Sequence, residues 1–202
     1  MVAATGHSSK WLQSLLDEPE PIEADTVLDA PTGPALPQQG VQARSDAGVP
    51  RVLVSGPAPA LWVMGVHGGA GESTLAALLQ GAAATGHAWP VRDLDGEADR
   101  VVLVCRSNAA GLRAAQLTAI EYGSGALPGS LAGLVILADA PGRLPKVLQD
   151  QVRLVTGAVP HTWQLPWVEE WRRSLAPDVT ALPGAVRGGL EKIQLHLAAG
   201  KH

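Results

Sequence analysis

The sequence contains no phenylalanine, one tyrosine and one cysteine. The lone cysteine, Cys105, has no partner for an internal disulfide, and a multi-cysteine zinc site is excluded. Lysine is scarce, four against eleven arginines, and the formal net charge is −4. With no basic excess to displace counterions, bulk charge does not support nucleic-acid binding. No apolar run reaches the ~18 to 20 residues of a membrane span, so no membrane insertion is expected. The N-terminus, MVAATGHSSKWLQ, lacks the charged-then-apolar order of a secretory signal. A cytoplasmic protein is expected. No HExxH or GxSxG occurs, and the six histidines show no other metal-ligand spacing.

What is present divides unevenly along the 202 residues. Residues 1–50 hold seven acidic and two basic residues, net −5, with few large apolar groups. Such a segment buries too little surface to offset its ordering entropy, so a mostly disordered acidic, proline-rich tail is expected. Its exception is 9–17. Ser8 or Ser9 can cap a helix there, and Trp11, Leu12, Leu15 and Leu16 fall on one face. Two or three turns alone in water are marginal. That face packs on its own domain or docks a protein partner.

From residue 51 short apolar runs alternate with helix-like stretches. Strands are expected at 51–55, 61–66, 101–105, 131–138 and 159–165. Helices are expected at 73–84, 108–122, 145–156, 166–175 and 184–198. Continuous Val/Leu/Ile runs between helices indicate a parallel sheet covered on both faces. The expected fold is α/β, a small three-layer domain over 51–176, with a linker and helix over 177–202. Only 16 residues separate 84 from 101, too few for two or three further strands, and the stretch reads as loop-like. Four strands in sequential order are therefore expected in the sheet, from 61–66 to 159–165.

The informative segment is Gly65-Val66-His67-Gly68-Gly69-Ala70-Gly71-Glu72-Ser73-Thr74-Leu75, between an expected strand and helix. A glycine-rich turn there lets backbone N–H groups converge on an anion. A working P-loop reads G-K-[ST], but the lysine position here is Glu72. Two unit charges ~4 Å apart at an effective dielectric of ~20 interact by roughly 4 kcal/mol, so this exchange turns attraction into repulsion. Ser73 can hold Mg²⁺ only if a Mg-nucleotide binds, and the metal would not replace the lysine's phosphate contact.

The stretch HGGAGESTLAALL resembles the deviant P-loop, KGGxGKT, of the ParA/MinD partition ATPases. That class carries a second, early lysine, whose position is His67. Both signature lysines are thus replaced while the glycine scaffold remains. Weaker similarity runs through VVLVCRSNAAGLRAAQ, LVILADAPGR and AVPHTWQLPWVEEW to about residue 175. The whole chain also resembles an uncharacterised family encoded by actinobacterial mobile elements. The resemblance implies a reduced P-loop NTPase-like fold and a setting in plasmid or mobile-element maintenance or conjugative transfer.

The remaining candidates lie at strand ends, where α/β folds place ligands. Asp139 follows the third run and either touches a ligand near Gly68–Gly71 or shapes the turn before Pro141. Arg106 ends the run before it and is a candidate anion contact. Asp93 and Asp95 fall in a loop-like stretch. The expectation is a pseudo-NTPase without catalytic residues or cofactor, acting as a binding or scaffold protein for a protein partner. The alternative is a divergent ATP- or GTP-binding NTPase that uses Mg²⁺. Its possible anion contacts are His67, Gly68, Gly69, Ala70, Gly71, Glu72, Ser73, Thr74, Arg106 and Asp139.

Overall fold

The computed structural model describes residues 31–41, 48–92, 99–173 and 182–199. Helix 9–17, with Trp11, Leu12, Leu15 and Leu16, lies outside the described residues, as do Asp93 and Asp95. The strands are β1 (Arg51–Leu53), β2 (Leu61–Gly65), β3 (Ala82–Ala84), β4 (Trp89–Val91), β5 (Arg100–Arg106), β6 (Ser130–Leu137) and β7 (Thr162–Leu165). The helices are α1 (Glu72–Leu78), α2 (Ala109–Gly123), α3 (Lys146–Thr156), α4 (Glu170–Arg173) and α5 (Gly184–Ala199).

Five strands form one parallel sheet in the order β3-β2-β5-β6-β7. The run from β2 through β5 and β6 to β7 keeps the sequential order expected. Alternate residues serve opposite faces, as strand geometry requires. Val63, Val102, Val104, Val135 and Leu137 pack under α1 and α5. Met64, Leu103, Cys105, Leu134 and Ile136 pack under α2 and α3. Helices therefore cover both faces, and the strands read as unbroken apolar runs for that reason.

Two expectations are corrected. The helix read as 73–84 stops at Leu78, and Leu79 turns extended. Gly81 takes φ 73, and Ala82–Ala84 pairs with β2 as an edge strand. Leucine and alanine spacing suited a helix, but hydrogen bonds to an open strand edge prevailed over propensity. The second concerns the loop-like interval after 84, which holds one short strand, β4. β4 pairs in parallel with β1, so the strand expected at 51–55 joins a separate two-stranded sheet. Trp89 of β4 is fully buried, stacks on Tyr122 at 5.7 Å and donates its indole N–H to Pro128 O.

Packing also extends beyond the boundaries read at 50 and 177. Thr32 N–H donates to Pro160 O at 2.8 Å, and the Tyr122 hydroxyl donates to Ala35 O. Glu121, buried in α2, accepts from Val49 N–H at 2.7 Å. On the other face Val186 and Ile193 of α5 are fully buried in the core. Asn108 caps α2 as its residue type suggested, its Oδ1 accepting from Gly111 N–H at 2.8 Å. Among the described residues, no helix is long and apolar enough to cross a membrane.

Candidate functional site: the glycine turn and its clamp

Strand order locates the site. From β2 the chain crosses to β3 on one side and later returns to β5 on the other. The direction of winding thus reverses between β2 and β5, and the crevice at the carboxyl ends of such strands is the usual ligand position. Residues 66–71 lie there, between β2 and α1. Gly71 takes φ 96, and a β-carbon on it would collide with Leu137 of β6. The glycine is thus needed twice, for its backbone angle and for the close approach of helix to sheet. Ala70 is fully buried below the turn, whereas Gly68, Gly69 and Ser73 are exposed and Thr74 is half-buried.

Glu72 does not face that crevice's opening. Its side chain is only 4% exposed and reaches the turn after β3. There the carboxylate accepts from the N–H groups of Thr85 at 2.7 Å and Gly86 at 2.6 Å. It also accepts from the Thr85 hydroxyl at 3.2 Å and from His87 N–H at 3.1 Å. His87 Nδ1 lies 2.8 Å from Glu72 Oε2 and 3.1 Å from Gly65 O. Consecutive N–H groups that converge on one anion form a backbone nest. Here the nest's anion is the chain's own carboxylate. Gly65 leaves room for it, because a β-carbon there would stand 2.6 Å from His87 Nδ1.

The other two polar groups of the turn also bond inward. His67 Nε2 accepts from Arg106 N–H at 3.2 Å, and its Nδ1 faces Gly68 O at 2.8 Å. These partners require the proton on Nδ1. The ring sits against Gly111 at the start of α2, where a β-carbon would be 2.8 Å from Nε2. His67 therefore fills the crevice between β2 and β5. Arg106 crosses above it, donating from Nε to Gly69 O at 3.3 Å and from Nη1 to Ala138 O at 3.1 Å. Burial lowers the Arg106 pKa and the nearby Asp139 raises it. Asp139 itself is exposed, and its N–H donates to Ser107 Oγ at 3.0 Å.

The residues expected around the turn are thus brought together at one end of the sheet, but His67 and Arg106 bond nearby backbone and Glu72 bonds the 85–87 turn. Thr85, Gly86 and His87 were not anticipated. Their only trace in the sequence is a Thr-Gly-His turn, which carries no sign of the carboxylate 13 residues earlier. Cys105 is fully buried, and burial pushes its thiol up to about 12, which leaves it inert. Among the described residues, no group of three or more His, Cys, Asp or Glu side chains is placed to hold a metal ion.

Residues 59–189 of the chain match a family of unknown function, DUF6668. The chain belongs to that family. The matched span of DUF6668 begins just before β2 and ends inside α5. It therefore contains the glycine turn, Glu72, the 85–87 nest and Arg106, while β1 lies outside it. No curated protein and no solved structure matches the chain.

Proposed function

We propose that this DUF6668 protein is a non-catalytic, P-loop-like binding or scaffold protein, in which the glycine turn serves as a structural joint. One observation carries the reading: the residue at the lysine position of the loop is a buried carboxylate that accepts from three backbone N–H groups and pairs with His87. Phosphate recognition needs a cation there. This chain instead uses the position to tie β3 and the start of the β3–β4 connection to α1. His67 and Arg106 add to the joint, binding β5 and β6 to the same turn.

The role outside the joint follows from the resemblance. We place the protein in plasmid or mobile-element maintenance or conjugative transfer, in the cytoplasm. Trp11, Leu12, Leu15 and Leu16 are the proposed contact with a protein partner. No cofactor is required by this reading. The alternative, a divergent ATP- or GTP-binding NTPase, draws on the exposed Gly68 and Gly69 beside Arg106 at the winding reversal. Calorimetric titration of the full chain with ATP and with GTP, each with Mg²⁺, separates the two. The joint reading predicts no saturable heat at millimolar nucleotide. Micromolar binding of either would overturn it.

A further inference from the structure

Four histidines lie among the described residues, and three of them have rings closed in by neighbours. His67 has both nitrogens engaged. His161 and His196 face each other with ring centroids 3.7 Å apart, beside Trp163. His87 differs. Its Nδ1 lies within hydrogen-bond distance of two oxygens, Glu72 Oε2 at 2.8 Å and Gly65 O at 3.1 Å, so that nitrogen carries the proton. Nε2 keeps its lone pair on a side chain that is 45% exposed. Among the described residues, no hydrogen bond engages it.

The support beneath the ring is firm. Glu72 is held by three backbone N–H groups before the imidazole reaches it. His87 has φ 63, and among the described residues it alone takes a positive φ without being glycine. Side-chain-bearing residues are strained in that region, and such strain concentrates at working sites. The ring also stands just beyond the carboxyl end of β3, the same end of the sheet as the glycine turn.

We propose that Glu72 and His87 form a carboxylate–imidazole dyad whose free nitrogen, Nε2 of His87, accepts a small activated acyl or phosphoryl group. In the step, the Nε2 lone pair forms a bond to the electrophilic carbon or phosphorus. The bond to the leaving group breaks, and its electron pair departs with that group. The charge that develops on the ring is met by Glu72 through the Nδ1 proton. That proton is then given up to water, and the leaving group takes up one proton. The inference uses the same Glu72–His87 contact as the joint, but it does not depend on whether the glycine turn binds a nucleotide.

The test exposes the full chain to diethyl pyrocarbonate in one arm and to phosphoramidate in the other, with modified sites read by peptide mass mapping. In at least one arm His87 should react about 10-fold faster than His67, His161 and His196, and the responsive arm identifies the group transferred. The adduct should sit on Nε2 by NMR. Glu72→Gln, with folding checked by circular dichroism, should slow His87 by about 10-fold. An adduct on Nδ1, a His87 rate no higher than the other three in both arms, or an unchanged rate in folded Glu72→Gln would overturn the proposal. The wild-type rate order and the adduct position decide the matter even if the variant does not fold.

Discussion

At the scale of single residues, Glu72 concentrates the physics of this protein. A buried carboxylate is costly unless its oxygens are met by donors. Here they are met by Thr85, Gly86 and His87, residues that no P-loop pattern would single out. Removing the carboxylate takes the protein acceptor from the Gly86 and His87 N–H groups, while Thr85 N–H keeps Val63 O at 3.1 Å. Glu72→Ala is therefore expected to cost about 2–3 kcal/mol, read as a lower urea midpoint at unchanged slope. A lysine at the same position would aim an ammonium group at hydrogen-bond donors, so restoring the loop consensus should destabilise the chain further rather than recover a phosphate site. The sequence shows that Glu72 is the wrong charge for a phosphate. It does not show the destination of the side chain, because the nest becomes a nest only when Gly86 and His87 take left-handed backbone angles, φ 74 and φ 63.

At the scale of elements, the buried strands were legible and the edges were not. β5 and β6 read directly from VVLVC and LAGLVILA, since burial on both faces leaves an unbroken apolar signature. β3 is Ala82–Ala84, three small residues with helix propensity, and only its pairing with β2 makes it a strand. β4 contains a proline and pairs with β1 in a two-stranded sheet, a context invisible to local pattern. The contact of β7 with α5 leads to a pH prediction. Burial lowers the pKa of His161, just before β7, and His196 of α5 lowers it further. With the folded value below the ordinary 6.5, the unfolded chain takes up its proton first as the pH falls. The contribution is intact above that value and is lost as the pH drops through the window below it. Thermal melts should show a falling midpoint from pH 7 towards pH 5, and His161→Asn should flatten that part of the profile.

At the scale of the whole molecule, α1, β3, β5 and β6 all meet at the glycine turn. The turn sits where strand order reverses, the position at which an open parallel sheet offers a crevice. In this chain His67 enters the crevice, Arg106 spans it, and Glu72 turns away from its opening. The parallel sheet and the β2-β5-β6-β7 run within it were legible because successive crossovers leave few arrangements, whereas the reversal at β2 comes with β3, which reads as helix. The closed crevice was not, because it depends on contacts between residues 13 to 39 positions apart. Amide hydrogen exchange measured by NMR tests the central claim most directly. If Glu72 holds the 85–87 nest, the Gly86 and His87 amides, which donate to Glu72 alone among the described residues, exchange about 10-fold or more slowly than the exposed Gly68 and Gly69 amides of the glycine turn. Gly86 and His87 amides that exchange as fast as those of Gly68 and Gly69 would contradict it.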